Sequence, residues 1–367
     1  MTDRKDLLSL VRPVVRELVA YHLDRHDVPV KLDQNENAYG LPEPVRAELE
    51  QKLRHLPLHR YPTPGQPELR EALSEATGWP KEGILVGNGS DELLHTLAHT
   101  LLEPGRTAVA PTPSFFVYAY TARLAGARVL EVPMTAELRY DVPALLSAIE
   151  THSPHVTYIC SPNNPTGIAI GRDALEEILR TTPGVVALDE AYWEFADWTA
   201  RELLDDHPNL ILMRTFSKAL ALAGARVGYL LAAPELTREV IKVQQPYPLN
   251  RFSIEAASVV LRHRDVAREQ ARRIVAERDR LLGELRRVDG VEVFASRTNF
   301  FLFRTRLGAK RTFDALLAKG VLVRDLSAHP LLPEMLRVAV GTREENERFA
   351  DALVEMLKSN GTSRRGE

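Results

Sequence analysis

Short apolar runs alternate along this chain with stretches in which apolar residues recur every third or fourth position, a rhythm that predicts strands and helices in turn. The regular pattern begins at Gln66. Residues 68–77 read as a helix, and Ile84-Leu85-Val86 as a short strand that ends in Gly87-Asn-Gly-Ser-Asp91. Leu93, Leu94, Leu97 and Leu101 then share one helical face, with Gly105 just past its end. Further strands are expected over 107–110, 127–132, 155–160, 185–188, 210–214 and 226–232, with helical patterns such as 172–180 between several of them. That order argues for an α/β fold in which a mainly parallel sheet is covered on both faces.

The flanks have a different texture. Up to about Arg60 the chain is rich in proline and charge, and Leu32-Asp-Gln-Asn-Glu-Asn-Ala-Tyr-Gly40 reads as a loop, so this part is expected to be an arm laid over a larger body. Residues 253–288 form one long, charge-laced helical pattern with Ile274, Leu281 and Leu285 at helical spacing, long enough to bridge two domains. Beyond it, strand patterns at 291–294, 300–304, 321–325 and 336–340 alternate with helices near 309–319 and 344–357, which fits a small α+β domain. The expected division is an arm with part of the small domain over 1–60, a large α/β domain over 61–252, and an interdomain helix with the small domain over 253–367. No internal repeat is visible, and the C-terminal residues have the polarity of a frayed tail.

Composition narrows the class. With 367 residues and 44% hydrophobic content, the chain has room for one large and one smaller packed domain. The 47 basic and 50 acidic residues are mixed along it and leave a net charge of -3, which offers no footprint for nucleic acid or an anionic membrane. A single cysteine allows no intramolecular disulfide, and Met-Thr-Asp-Arg-Lys-Asp at the start has no apolar signal core, so a cytoplasmic location is expected. The longest apolar stretch, 219–234, is interrupted by Gly224, Arg226 and Gly228 and reads as protein core.

Chemistry concentrates around Lys218, in Thr215-Phe-Ser-Lys-Ala-Leu-Ala-Leu-Ala-Gly-Ala-Arg226. An amine that must attack an aldehyde needs apolar surroundings that disfavour its ammonium form, and the alanines and leucines after Lys218 supply them. The hydroxyls of Thr215 and Ser217 and the guanidinium of Arg226 can converge on one phosphate. Gly89-Ser90-Asp91 opens a helix, whose free N–H groups also suit a phosphate, although such a turn is often only a cap. In Ser161-Pro-Asn-Asn-Pro-Thr-Gly167 two prolines fix the backbone around an amide side chain. Asp189 ends the apolar run Val185-Val-Ala-Leu, where a lone carboxylate is costly and calls for a cation. A protonated pyridine nitrogen is such a cation, while an N-cap or a salt bridge is the competing reading. Tyr192 could donate its hydroxyl to a ring oxygen or simply pack. Together these residues outline a site for pyridoxal phosphate.

On these motifs, together with Leu336-Arg337-Val-Ala-Val-Gly-Thr342, the chain resembles the fold-type I pyridoxal-phosphate aminotransferases, and among them is most similar to the histidinol-phosphate branch. The likeness runs from about Tyr21 to Thr342. It implies that Lys218 condenses with the cofactor aldehyde and then moves a proton between substrate carbon and cofactor C4′. It implies further that Asp189 pairs with the ring nitrogen, that Asn164 and Tyr192 contact the ring oxygen, and that Ser90, Asp91, Thr215, Ser217 and Arg226 surround the phosphate. Asp91 is expected to act through its backbone N–H, since its carboxylate would repel a phosphate. Tyr61 is expected to reach that phosphate from a second subunit, which implies a homodimer. Where the family often has a tyrosine stacked on the cofactor ring, this chain has Phe115, with Phe116 the neighbouring candidate. The aromatic face is all that stacking needs.

For the substrate, the resemblance gives Arg337 as the clamp for an α-carboxylate, Arg324 as a second arginine and Tyr21 as a lining residue. A guanidinium fork suits both a carboxylate and a phosphate ester. The expected reaction is transamination between histidinol phosphate and 2-oxoglutarate, and Arg324 and Arg337 are expected to hold the substrate phosphate jointly. An exposed Arg324–Asp325 pair is the bland alternative. A threonine-phosphate decarboxylase and an aromatic amino-acid aminotransferase remain open on the same scaffold, because pocket shape decides between them. The spacing of His22 with His26, His55 with His59 and His95 with His99 could suit a metal on a helix, but no third ligand accompanies any pair, and no metal is expected. Cys160 reads as a buried small hydrophobe.

Overall fold

The structure is a computed structural model that describes residues 7–20 and 25–359. Seven strands form its main sheet, in the spatial order Ile84–Asn88, Val227–Leu231, Leu210–Thr215, Val185–Asp189, Val156–Cys160, Thr107–Thr112 and Arg128–Pro133. All of the neighbouring pairs are parallel except those made by Val227–Leu231, which runs antiparallel to both of its neighbours. Helices cover both faces. Val186 and Leu188 enter one apolar cluster, while Ala187 between them enters the other. A strand buried on two faces must be apolar at every position, which is why these strands read as unbroken hydrophobic runs.

A second, antiparallel sheet has the order Arg324–Asp325, Leu336–Ala339, Phe300–Thr305 and Val291–Val293. Phe300, Phe301 and Phe303 pack there with Leu316, Phe349 and Leu353 in a separate core. Fully burying each of these side chains stabilises the fold by about 1.5–3 kcal/mol. Among the described residues no helix is long and apolar enough to cross a membrane.

The structure differs from the sequence reading in three places. The helical pattern over 253–288 is two helices, Arg251–Arg262 and Arg264–Leu285, broken at His263 with φ -107° and ψ 24°. Ala256, Ala257, Val259 and Val260 of the first pack into the core of the main sheet, whereas Ile274, Leu281 and Leu285 of the second pack into that of the smaller one. Each helix answers to its own core, and the turn at His263 lets both faces be buried. The arm also contains a helix, Glu43–Leu53, whose Val45 is buried in the main-sheet core. Finally, 321–325 is not one strand. Val321–Leu322 pairs in parallel with Val30–Lys31, while Arg324–Asp325 pairs with Leu336–Ala339. A further contact ties the arm down, because Ala339 N donates to Leu32 O at 2.9 Å.

Candidate active site

Open α/β sheets present their ligands at the carboxyl ends of strands, and the motif residues gather at that edge here. Cys160, Asp189 and Met213 are side by side in the parallel register, so Ser161, Glu190 and the strand end at Thr215 come close to one level. Below the smaller sheet and above these turns lies a cleft of about 700 Å³. Ser90, Asp91, Phe115, Asn164, Asp189, Tyr192, Thr215, Ser217, Lys218, Arg226, Arg324 and Arg337 all line it. Two proposed residues are not among them. Tyr21 lies outside the described residues, and Tyr61 sits elsewhere on the surface, 75% exposed and stacked on Tyr247 with ring centres 4.7 Å apart.

Lys218 is half-buried, with its Nζ donating to the Gln34 carbonyl at 3.2 Å and lying 5.8 Å from the centre of the Tyr192 ring. Burial, aided by the charge of Arg337, lowers its pKa to about 8. A useful fraction of neutral amine is therefore present near neutral pH, as nucleophilic attack on an aldehyde requires.

At one end of the cleft Thr215 Oγ1 donates to Ser217 Oγ at 2.9 Å, and Arg226 Nη1 approaches the same Ser217 oxygen at 3.4 Å. Arg226 itself precedes its strand, in the left-handed conformation at φ 54°, and its Nη2 meets Asp91 Oδ2 at 3.1 Å. The Asp91 carboxylate thus has an arginine as its partner, an arrangement the sequence reading, which gave this residue only a backbone role, did not include. The helix Gly89–Leu101 begins here, so its first N–H groups and positive dipole end face the same hollow. Two glycines keep the hollow open. A Cβ on Gly89 would stand 2.4 Å from Arg226 Nη2, and one on Gly228 would stand 2.5 Å from Ser90 N. Backbone donors, two hydroxyls and one guanidinium around a space that no side chain can fill suit a phosphate group.

Asp189 is 3% exposed. Its Oδ2 accepts a hydrogen bond from the Tyr118 hydroxyl at 2.7 Å and its Oδ1 one from Ala191 N at 2.9 Å. Burial raises its pKa to about 6, and these two donors hold it back from rising further. No cation pairs with this carboxylate among the described residues, so a protonated ring nitrogen is the partner that would complete it. Phe115 stands near, edge-on to Tyr118 with centroids 5.7 Å apart. Phe116 is half exposed and also faces the cleft.

Asn164 Oδ1 accepts from Arg337 Nη1 at 2.6 Å, and the Tyr192 hydroxyl accepts from Asn35 Nδ2 at 3.0 Å. The Asn164 amide and the Tyr192 hydroxyl still have protons to donate to a ring oxygen. The donor set as a whole fits pyridoxal phosphate: a phosphate hollow, an amine, a buried carboxylate, an aromatic face and two donors for the ring oxygen.

Arg337 also donates to Asp33 O at 2.8 Å, and its Cα partner across the antiparallel pair is Arg324. Two like charges placed directly opposite each other destabilise a strand pair unless an anion lies between them. Arg324 forms no ion pair with Asp325 among the described residues, and the Asp325 carboxylate instead caps Ser327 N at 2.9 Å.

Several contributors escaped the sequence reading. Tyr118 lies in the first turn of the helix Val117–Leu124, just after Phe115, and nothing in its local pattern pointed toward Asp189. The arm residues Gln34 and Asn35 reach the site, flanked by the bond from Arg337 to Asp33 O and held by Asn299 Nδ2, which donates to Asn35 O at 3.0 Å. Behind it, Glu190 and Arg214 form a buried pair at 2.8 Å, with Arg214 stacked over Trp193. His95 and His329 line the cleft as well.

The profile of the family described as aminotransferase class I and II matches residues 27–353. A histidinol-phosphate aminotransferase 2 of Bordetella parapertussis is 42% identical over 353 residues, covering 95% of this chain and 96% of that protein. Among solved structures, the histidinol-phosphate aminotransferase of Sinorhizobium meliloti in complex with pyridoxal-5'-phosphate superposes with a TM-score of 0.86 at 26% identity, over 96% of this chain and 98% of that one. The L-threonine-O-3-phosphate decarboxylase of Porphyromonas gingivalis gives 0.78 at 25% identity, over 90% and 99%. By this match along almost its whole length, the chain belongs to the class I and II aminotransferases, fold-type I enzymes whose cofactor is pyridoxal phosphate.

Proposed function

We propose that the chain transaminates histidinol phosphate with 2-oxoglutarate, giving imidazole acetol phosphate and glutamate, a step of histidine biosynthesis. The observation that carries the substrate is the facing pair Arg324 and Arg337, which offers two guanidiniums to one dianion at the mouth of the cleft. The relatives that match it over nearly their full length support the same substrate. In the return half-reaction Arg337 would receive the carboxylate of the second substrate, for which its planar fork is suited.

Pyridoxal phosphate, when bound, supplies an aldehyde for the amino group and a ring that accepts the electrons left on the substrate carbon. The chain's residues do the rest. Lys218, whose Nζ lines the cleft with a lowered pKa, would hold the cofactor at its aldehyde and would serve as the base that moves a proton at the substrate carbon. Asp189 keeps a proton on the ring nitrogen, so that the ring stays an electron acceptor. Asn164 and Tyr192 would orient the ring oxygen, and Phe115 would offer its aromatic face to the ring. Ser90, Asp91, Thr215, Ser217 and Arg226 anchor the phosphate, with the Asp91 carboxylate fixing Arg226.

We assign Tyr61 to the site of a second subunit. Its exposed ring, stacked on Tyr247, and the Arg251 guanidinium that donates to the carbonyls of Arg60 and Tyr61 make a stiff surface projection suited to that role. A homodimer with two shared sites follows. The boundaries near residues 60 and 252 are part of this proposal, with the cofactor held by the main sheet and the substrate arginines by the smaller one.

A spectral titration of the cofactor-loaded protein tests the substrate. Histidinol phosphate should abolish the visible band of the bound cofactor in a single turnover, while phosphothreonine and phenylalanine should leave it in place. Carbon dioxide released from phosphothreonine would overturn the proposal in favour of the decarboxylase.

A further inference from the structure

The side chain that touches Asp189 most directly is one that the family motifs did not supply. Tyr118 is 1% exposed, on the helix Val117–Leu124, and its hydroxyl donates to Asp189 Oδ2 at 2.7 Å. Its ring is fixed from two sides. Tyr158 stacks on it at 5.4 Å with planes 11° apart, and Phe115 meets it edge-on at 5.7 Å and 82°. One residue therefore touches both the carboxylate that faces the cofactor ring nitrogen and the aromatic ring expected on the cofactor face.

We propose that Tyr118 is a positioning residue for the cofactor: its hydroxyl keeps Asp189 ionised and aimed at the ring nitrogen, and its ring sets the tilt of Phe115. The physical need is plain. A carboxylate in an apolar interior reverts to its neutral form unless donors hold it charged. Asp189 has two donors, of which Ala191 N is backbone and cannot be dispensed with. The Tyr118 hydroxyl is the only side chain among the described residues that donates to it.

The other ionisable groups around Asp189 do not substitute for it. Cys160, its neighbour in the sheet register, is held as a neutral thiol by burial. Tyr140 donates instead to the Cys160 carbonyl. Glu190 is paired with Arg214, Asp91 is paired with Arg226, and Tyr192 bonds with Asn35. Of these, Asp91 and Glu190 are negative and oppose ionisation of Asp189.

The inference rests on the cofactor and not on the substrate, so it stands or falls separately from the histidinol-phosphate reading. The test compares full-length wild type, Tyr118→Phe and Tyr158→Phe after cofactor removal and reconstitution. Tyr118→Phe keeps the ring and deletes only the donor. A hydrogen bond to a charged group is worth enough to predict that the pyridoxal-phosphate dissociation constant rises roughly 10- to 100-fold. The loss should deepen as the pH falls, because the deprived carboxyl protonates at higher pH. Tyr158→Phe alters the same aromatic wall one ring away and should change neither affinity nor pH profile. In the cofactor-free protein, the carbon-13 carboxyl resonance of Asp189, assigned with Asp189→Asn, should titrate at higher pH in Tyr118→Phe than in wild type. Wild-type affinity and an unshifted Asp189 titration in Tyr118→Phe would overturn the proposal. So would an equal loss in Tyr158→Phe, which would make packing, not the hydroxyl, responsible.

Discussion

Replacing Asp189 by Asn should make the cofactor-free protein more stable while depriving it of its chemistry. The wild-type carboxyl is almost fully buried, and its pKa stands at about 6 against an ordinary 3.8. At about 1.4 kcal/mol per pH unit, keeping that group ionised costs the folded chain about 3 kcal/mol at neutral pH. Because the folded-state pKa lies above the unfolded one, the protonated group's advantage is complete below about pH 4 and is lost as the pH rises through about 6. Asn has no such titration. Its amide fits the same two partners, with its oxygen toward Ala191 N and its NH2 toward a Tyr118 hydroxyl that rotates to accept. Urea unfolding of the two cofactor-free proteins at several pH values measures the difference directly, since all other groups titrate in both. The gap in favour of Asp189→Asn should grow from near zero at about pH 4 to about 2–3 kcal/mol at about pH 8. The same variant, reconstituted, should lose most of its turnover. Parallel stability curves for the two proteins would refute the claim that Asp189 waits in the fold as a strained anion for a cationic partner.

Four further outcomes follow from the same geometry. Capture of pyridoxal phosphate by the cofactor-free protein should accelerate with pH through a midpoint of about 8, the depressed pKa of Lys218; stopped-flow absorbance would expose a midpoint near the ordinary 10.5 as a contradiction. Arg324→Ala should raise KM for histidinol phosphate roughly 10- to 100-fold, in line with a lost charged hydrogen bond, while affecting glutamate less, and steady-state kinetics with each substrate would separate the two. Gly228→Ala drives a methyl group to within 2.5 Å of Ser90 N, so cofactor affinity should fall at least 10-fold, as equilibrium dialysis would measure. Mixing inactive Lys218→Ala with weakened Tyr61→Phe should restore part of the activity, since a mixed dimer holds one intact site if Tyr61 serves its partner, and no gain on mixing would place Tyr61 outside catalysis.

Much of this fold could be read from the chain because parallel strands buried on both faces leave an unmistakable trace. Val185-Val-Ala-Leu and Leu210-Ile-Leu-Met are continuous apolar runs, and the chemistry sits where each run stops. What escaped depends on register or on distance along the chain. The break at His263 has neither proline nor glycine to mark it, and is imposed by two cores that pull successive helices apart. The bond from Tyr118 to Asp189 spans 71 positions, and no periodicity couples residues so far apart. The arm looked polar and loose, yet Gln34 and Asn35 are held against Lys218 and Tyr192 by single hydrogen bonds that only the folded chain makes. Arg324 and Arg337 were both visible as candidates, but their placement face to face is a property of strand pairing.

On the proposed reading, the pairing of Arg324 with Arg337 makes the short edge strand Arg324–Asp325 the part of the smaller sheet that an anion would tighten. Like charges held across an antiparallel ladder loosen it, and a dianion between them turns repulsion into a clamp. On the proposed reading, each exchange of phosphate ester for carboxylate is therefore also an exchange of mechanical states, tight with one substrate and slacker with the other. Inorganic phosphate would act on the resting enzyme as both inhibitor and stabiliser, adding about 2.7 kcal/mol at a concentration about 100 times its dissociation constant. Preparations kept in phosphate buffer would then owe part of their robustness to the same two arginines that are proposed to receive the substrate phosphate.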